Sequence, residues 1–206
     1  MMLNILTVIS DLIAPPHPSV FSLRQEKPEQ FIRFFTPLIL KEVVALARFE
    51  EILIHNAITA NKFYNYKPAA KLLASLLNHW LNSLPSKSTY LVSIPLSKKR
   101  LAKRGYNQVE RILKAITVTQ VSLLPLLIRS RDTKPQTSLK RKERLTNLVN
   151  AFTVDEKIIS QISFSGCRVI ICDDVVTTGA TLHSAKKVLS HHLPKDCEIL
   201  CVAMAH

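Results

Sequence analysis

Residues 169–182 read VIICDDVVTTGATL, and this order of residue types decides the fold. An apolar run ends in two adjacent carboxylates, Asp173 and Asp174, and a hydroxyl-rich turn follows. The run predicts a strand over 168–173, since a parallel strand covered on both faces is continuously apolar. The acids then lie at the C-terminal edge of that strand, where open α/β sheets bind their ligands.

The turn after the acids has the features of an anion site. Thr177, Thr178 and Thr181 offer hydroxyl groups, and Ala180 opens a predicted helix whose first backbone N–H groups are free. Gly179 allows the backbone to approach an anion without an intervening Cβ. The loop lacks the lysine of the Walker A loop and the glycine spacing of the dinucleotide motif. The alternative is a strand–turn–helix in which the acids only cap the helix.

This string resembles the phosphoribosyl pyrophosphate (PRPP) motif of type I phosphoribosyltransferases. The resemblance implies that Asp173 and Asp174 position the ribose in catalysis and that residues 177–181 cradle the 5′-phosphate. It also implies Mg²⁺ as the cofactor, held mainly through PRPP oxygens and not by protein side chains. Thr177 stands where purine-salvage members carry an aspartate. A proton relay to a purine N7 is therefore not expected.

A second informative segment follows the strand predicted over 89–95. Five of the seven residues 98–104 are basic: Lys98, Lys99, Arg100, Lys103 and Arg104. Such a cluster matches a pyrophosphate by charge and, for arginine, by bidentate geometry. The alternatives are a solvated basic loop or a patch that binds nucleic acid.

Residues 94–108, IPLSKKRLAKRGYNQ, resemble the signature of the ComF/GntX-like family of type I phosphoribosyltransferase-fold proteins. A block over 129–152 agrees, and a weaker one over 62–77 extends the resemblance to residues 60–206, whereas residues 1–59 match poorly. It implies that pyrophosphate is bound by Ser97, Lys98, Lys99, Arg100 and Arg104. Arg100 would also stabilise the departing charge in catalysis.

Residues 129–147 are rich in polar side chains and have little apolar periodicity, which predicts a long loop followed by a short helix over about 140–148. Long loops inside compact domains are often lids or disordered segments. In the family that the sequence resembles, a flexible loop at this position closes over PRPP. Thr133, Gln136 and Arg144 are the candidates for such a lid in this chain. A mobile surface loop is the alternative.

Composition sets further limits. The 206 residues are 47% hydrophobic and carry a formal net charge of +13. No uncharged apolar run approaches the length of a membrane span, so we expect no membrane contact and a cytoplasmic location. The basic balance favours a positive field that also attracts nucleic acid. Aromatic residues are sparse at 6% and are not interleaved with arginine, which weakens a single-strand-binding interpretation.

The four cysteines form no C-x-x-C pair, and we expect them to be buried, inert thiols. They are Cys167, Cys172, Cys197 and Cys201. Many ComF-like proteins carry an N-terminal four-cysteine zinc module. This chain has no cysteine before residue 167, so we predict that it binds no zinc.

Alternating elements predict an α/β fold with a doubly wound, mainly parallel sheet flanked by helices. The resemblance identifies it as the type I phosphoribosyltransferase fold, with a helical N-terminal hood over 1–85 and a core over 86–206. The remaining predicted elements are helices over 1–13, 31–60 (interrupted near Pro37), 68–84, 105–119 and 179–193 and strands over 123–129 and 196–203.

Two main functions stay open at this stage, beside a third and weaker one, a regulator that senses PRPP. One is a phosphoribosyltransferase that acts on an unknown small-molecule acceptor. The other is a non-catalytic protein that binds PRPP or single-stranded DNA in DNA uptake, with competence machinery as its partner. Only the resemblance implies that pathway, and a homodimer is left open.

Overall fold

The computed structural model describes residues 15–130 and 151–206. Its helices are α1 (Pro18–Phe21), α2 (Pro28–Phe31), α3 (Ile52–Phe63), α4 (Lys67–Ser83), α5 (Lys98–Arg104), α6 (Gln108–Leu113), α7 (Glu156–Gln161) and α8 (Ala180–Ser190). Its strands are β1 (Leu38–Leu40), β2 (Val43–Ala47), β3 (Thr89–Ser93), β4 (Val121–Leu123), β5 (Leu127–Arg129), β6 (Phe152–Val154), β7 (Arg168–Val175) and β8 (Glu198–Ala205). None of these helices is long and apolar enough to cross a membrane.

Six strands form the central sheet in the order β1-β2-β8-β7-β3-β4. Strand β1 is antiparallel to β2, and every other neighbouring pair is parallel. Strands β5 and β6 form a separate antiparallel pair. The predicted mainly parallel sheet is therefore confirmed.

Helices cover both faces of this sheet, as a doubly wound fold requires. On one face Ile170 and Cys172 of β7 pack with residues of α3, α4 and α6. On the other face Val169 and Ile171 pack with residues of α8. Because β7 is buried on both faces, its apolar run is continuous, which is why it could be identified from sequence. The α/β fold class is confirmed.

The chain reverses its direction of travel across the sheet between β3 and β7. Strand β3 leads through α5 and α6 to β4 on one side, whereas β7 leads through α8 to β8 on the other. The two strands are paired from Thr89 and Arg168 to Ser93 and Cys172. Their C-terminal ends thus border the crevice in which such sheets bind ligands.

The helix predicted over 31–60 is wrong in its middle. Residues 38–47 form the hairpin of β1 and β2, and β2 pairs with β8 inside the central sheet. The turn residues Lys41 and Glu42 have φ of 47° and 65°. Such two-residue turns usually contain Asn or Gly, so the sequence carried no hairpin signal here. The predicted hood is thus not purely helical, and the domain boundary at 85/86 stays a prediction.

Two further elements differ from their predictions. The strand predicted over 123–129 is split into β4 and β5, because Pro125 between them has no N–H for a sheet bond. The helix predicted over 105–119 is the shorter α6. The predicted helices over 68–84 and 179–193 correspond to α4 and α8. The helix predicted over 1–13 lies outside the described residues.

The basic segment 98–104 is the helix α5 and not a loop. The Ser97 hydroxyl accepts a hydrogen bond from the Arg100 N–H at 3.4 Å and so caps its start. Gly105 ends it with φ of 79°.

The four cysteines are buried and free, as expected. Burial raises the pKa of Cys197 and of Cys201 to about 11. These two thiols are therefore poor nucleophiles at neutral pH. The absence of zinc stays a prediction.

Candidate functional site

A pocket lies at the C-terminal end of β7, lined by Asp173 and residues 175–182. Strand β7 continues to Val175, which pairs with Ala205 of β8. The chain then turns through Thr177 and Thr178 into α8. The structure therefore brings Asp173 together with the predicted phosphate loop in one concave site.

Gly179 is the residue on which this loop turns. Its φ of 74° is left-handed, a conformation that costs other residues conformational energy. A Cβ at this position would lie 2.9 Å from the His183 ring, and the Gly179 carbonyl oxygen lies 2.7 Å from His183 Nδ1. Both backbone and space therefore demand glycine here.

The loop leaves backbone donors for an anion. Within residues 15–130 and 151–206, the N–H groups of Thr177 and Thr178 have no hydrogen-bond acceptor. Among these described residues, the Ala180 N–H is paired only with the Thr178 hydroxyl, at 3.4 Å. The eleven-residue helix α8 adds the positive end of its dipole at this point. The geometry suits a phosphate group.

The two adjacent acids differ in accessibility. Asp173 is half-buried and lines the pocket, and its Oδ1 accepts the Asp174 N–H at 2.8 Å. Asp174 is only 6% exposed. Because successive strand side chains point to opposite faces, Asp174 shares the face of Cys172, which α3, α4 and α6 cover.

Asp174 has three hydrogen-bond donors around its carboxylate. Lys62 Nζ of α3 lies 3.0 Å from Oδ2, and Gln108 Nε2 of α6 lies 3.2 Å from the same oxygen. The Val175 N–H donates to Oδ1 at 3.1 Å. Side chains from two other segments, α3 and α6, thus converge on this buried acid of β7.

The two acids of the pair differ in how readily they ionise. Burial, together with the neighbouring Asp174 charge, raises the pKa of Asp173 well above its ordinary value. Burial also opposes the ionisation of Asp174, but the Lys62 ammonium, together with hydrogen bonds from Asp173 and Gln108, holds the pKa of Asp174 below its ordinary value. Asp174 is therefore the member that carries the negative charge most readily.

The half-buried cations of the basic helix α5 are its two arginines, Arg100 and Arg104. Arg104 donates to Gln108 Oε1, and its burial lowers its pKa while the Asp174 charge acts in the opposite direction. Arg100 lies one turn earlier on α5 and is also half-buried, whereas Lys98 and Lys99 are exposed. Ser97 is buried and serves as the helix cap. The ligand roles predicted for these residues stay predictions.

Lys62 and Gln108 are the site residues whose roles sequence reasoning missed. Gln108 is held because Asn61 of α3 donates to its carbonyl oxygen at 2.9 Å, and Tyr106 donates to the Asn61 carbonyl oxygen at 2.8 Å. For Lys62, the sequence signal that could have identified it was the block over 62–77 that resembles the family. The lid candidates Thr133, Gln136 and Arg144 lie outside the described residues.

No protein-built metal centre is present in the described ranges, where no three His, Cys, Asp or Glu side chains lie close enough to hold an ion. Asp173 supplies one accessible carboxyl group. This donor set fits Mg²⁺ that is bound mainly through ligand oxygens, because Mg²⁺ commonly takes one or two carboxylates plus phosphates.

Sequence comparison finds bacterial competence proteins. The chain is 33% identical to competence protein ComFC of Streptococcus pneumoniae over 126 residues, 61% of this chain and 52% of that protein. It is 31% identical to competence protein F of Haemophilus influenzae over 147 residues, 67% of this chain and 60% of that protein. For ComFC of Bacillus subtilis the identity is 41% over 105 residues, 51% and 40% of the two chains.

These matches confirm the ComF-like character expected from residues 94–108. The matched region spans 40% to 60% of the length of these three relatives. No protein-family model matches the sequence.

Solved structures with a similar arrangement are phosphoribosyltransferases. Adenine phosphoribosyltransferase from Leishmania tarentolae matches with a TM-score of 0.45 and 12% identity, covering 81% of this chain and 79% of that one. A hypoxanthine phosphoribosyltransferase from Staphylococcus aureus matches with a TM-score of 0.37 and 15% identity, covering 66% and 62%.

Proposed function

We propose that this ComF-like chain binds Mg²⁺–PRPP in the pocket at the switch point of its sheet and transfers the phosphoribosyl group to an unidentified small-molecule acceptor. The acceptor nucleophile would attack the ribose C1, and pyrophosphate would leave. The loop built around Gly179 carries the proposal, since its left-handed backbone, free N–H groups and adjoining helix together fit a 5′-phosphate.

The remaining groups fit the other parts of that ligand. The half-buried Asp173 offers a carboxyl oxygen to a ribose hydroxyl at the pocket wall. Arg100 and Arg104 lie on the helix that follows β3, where their charge would stabilise a departing pyrophosphate. When bound, Mg²⁺ would neutralise part of the phosphate charge.

Isothermal titration with Mg²⁺–PRPP tests this function. We expect binding by the wild type and weakening of about tenfold or more in Asp173→Asn, because the ribose would lose a hydrogen bond to a carboxyl group. Asp196→Asn is the matched control. The Asp196 carboxylate accepts the Gly166 N–H in the turn that precedes β7, at the end of that strand away from the pocket. Absence of binding by the wild type, or equal binding by the Asp173 variant, would contradict the proposal.

Catalysis requires its own experiment. We expect release of pyrophosphate when Mg²⁺–PRPP is mixed with the correct acceptor from a panel of heterocyclic bases and amines. Hypoxanthine and guanine should not be accepted, because Thr177 replaces the acid that would serve a purine N7. If no acceptor gives turnover while Mg²⁺–PRPP still binds, a purely binding function is favoured.

A second candidate, binding of single-stranded DNA in DNA uptake, is favoured by a surface that only the fold assembles. Phe21, Phe63 and Tyr64 are exposed by 65%, 65% and 44%, and His17 stacks on Tyr64 with ring centroids 4.1 Å apart. Arg24 lies 5.8 Å from the Phe21 ring centroid. Aromatic faces beside cations suit stacked bases and a phosphate backbone.

Fluorescence anisotropy with a labelled oligothymidylate tests the second candidate. We expect affinity that falls steeply with salt and weakens by about fivefold or more in Phe63→Leu, because one stacked base is lost. Ile52→Ala is the control, since Ile52 is an exposed apolar residue at the other end of α3. Equal affinity of the Phe63 variant and the wild type would remove this surface as the binding site.

A further inference from the structure

We propose that Lys62 is a further binding residue of the site, that its ammonium group contacts the pyrophosphate of the phosphoribosyl ligand, and that Asp174 is its positioning residue. The inference rests on the proposed function, because it assigns a contact to the same ligand. It also changes the role of Asp174, which the family resemblance alone assigned to the ribose.

The first step is that Asp174 has little capacity left for a ribose hydroxyl. Its Oδ2 already accepts from Lys62 and Gln108, and its Oδ1 accepts from the Val175 N–H. An ionised carboxylate has about four acceptor positions, and three are therefore taken. The residue is 6% exposed, whereas its neighbour Asp173 lines the pocket. Asp173 is thus the accessible acid of the pair.

The second step is that Lys62 keeps capacity for a ligand. A lysine ammonium has three N–H donors, and the carboxylate of Asp174 takes one of them. The Lys62 side chain remains 29% exposed in the last turn of α3. Because the lysine side chain is flexible, its ammonium group needs a partner to hold it in place. The buried carboxylate of Asp174, 3.0 Å away, is that partner. Buried ion pairs often serve such positional purposes and add little net stability.

The third step is that Lys62 belongs to the same cationic cluster as the predicted pyrophosphate residues. Lys62 Nζ and Arg104 Cζ lie 5.8 Å and 5.7 Å from the centroid of the Phe63 ring. Arg104 donates a hydrogen bond to Gln108 Oε1, and Gln108 Nε2 in turn donates one to Asp174 Oδ2. One carboxylate is therefore connected to two cations, directly to Lys62 and through Gln108 to Arg104. A pyrophosphate would supply the missing negative charge.

The test uses titration calorimetry with three probes, Mg²⁺–PRPP, Mg²⁺–pyrophosphate and ribose 5-phosphate. Lys62→Met alone leaves a buried carboxylate unpaired, so the main variant is Lys62→Met/Asp174→Asn, which removes both charges. Lys71→Met is the matched control, because Lys71 is an exposed lysine on α4. Thermal unfolding shows whether each variant is folded.

We expect the double variant to bind Mg²⁺–PRPP and Mg²⁺–pyrophosphate about tenfold or more weakly, since a charge-assisted contact is lost. Its affinity for ribose 5-phosphate should stay within about twofold of wild type, because that probe has no pyrophosphate to meet Lys62. Asp174→Asn alone should show the same split between the probes. A merely structural role for the pair would weaken all three probes together.

Equal pyrophosphate affinity of the double variant and the wild type would overturn the assignment of Lys62. Selective loss of ribose 5-phosphate binding in Asp174→Asn would instead return Asp174 to the ribose. If the double variant does not fold, Lys62→Gln decides, since it keeps a hydrogen-bond donor for Asp174 but removes the cation, and unchanged affinity for pyrophosphate would overturn the assignment. Failure of the wild type to bind any probe would overturn the proposed function, and this inference with it.

Discussion

The two halves of the candidate site are built in different ways. The phosphate half, residues 173–182, is one continuous stretch whose shape depends on the backbone of Gly179. The cationic half joins Lys62, Arg104 and Gln108 to Asp174, so it depends on how α3, α5 and α6 pack against β7. The first half should therefore fail through backbone strain and the second through an unpaired charge. Each can be damaged without the other.

The largest effect should come from unpairing the cationic half. We expect Lys62→Met to destabilise the protein by about 3 kcal/mol, because it leaves Asp174 buried without its cation. Urea unfolding at neutral pH measures the loss. Lys62→Met/Asp174→Asn should recover most of it, since no uncompensated charge remains. A double variant as unstable as the single one would mean that packing of the lysine stem, and not charge, is what matters.

The next effect should come from straining the phosphate half. Gly179 and Gly166 both have left-handed φ, 74° and 66°, but only Gly179 has a neighbour within 4 Å of an added Cβ. We expect Gly166→Ala to cost about 1 kcal/mol from backbone strain alone. Gly179→Ala should cost about 2 kcal/mol, because the His183 ring must also move.

Binding separates these two glycine variants further. Mg²⁺–PRPP affinity should fall only in Gly179→Ala, since Gly166 precedes β7 at the opposite end of that strand. Calorimetric titration of both variants measures this difference. Equal losses of affinity would contradict the assignment of the loop as the phosphate site.

The phosphate half could be predicted from the sequence, whereas the pairing at the centre of the cationic half could not. Asp173 and Gly179 belong to one strand–turn–helix, so local pattern alone placed them at a ligand-binding edge. The pairing of Lys62 with Asp174 depends on tertiary packing, which no local pattern encodes. The β1–β2 hairpin was missed because Lys41 and Glu42 occupy turn positions that usually hold Asn or Gly. The split of β4 from β5 at Pro125, by contrast, carried a readable signal, since proline interrupts a sheet ladder.

A smaller effect of opposite sign should appear at Asp173. Burial and the Asp174 charge raise the pKa of Asp173, so the unfolded chain releases this proton at lower pH than the folded one. Wild-type stability therefore falls as pH rises from the unfolded pKa, near 4, through the raised folded value. We expect Asp173→Asn to stabilise the protein at neutral pH, where the wild-type carboxyl must ionise against burial and the Asp174 charge.

The pH dependence tests the cause of that gain. Urea unfolding of wild type and Asp173→Asn should show the advantage of the variant shrinking as pH is lowered toward 4, where the wild-type carboxyl is protonated in both states. A gain that is independent of pH would point to better packing of asparagine. A gain of stability together with loss of Mg²⁺–PRPP binding would be typical of a residue kept for function.

The smallest effect should come from a second ion pair with the same length. Lys186 Nζ lies 3.0 Å from Glu42 Oε2, as Lys62 Nζ does from Asp174 Oδ2, but the Glu42 side chain is 72% exposed where that of Asp174 is 8% exposed. Water screens the exposed pair and solvates either partner when the other is removed. We expect Lys186→Met to leave stability within the error of urea unfolding, at both low and high salt. A loss comparable to that of Lys62→Met would show that distance, and not burial, sets the strength of ion pairs in this fold.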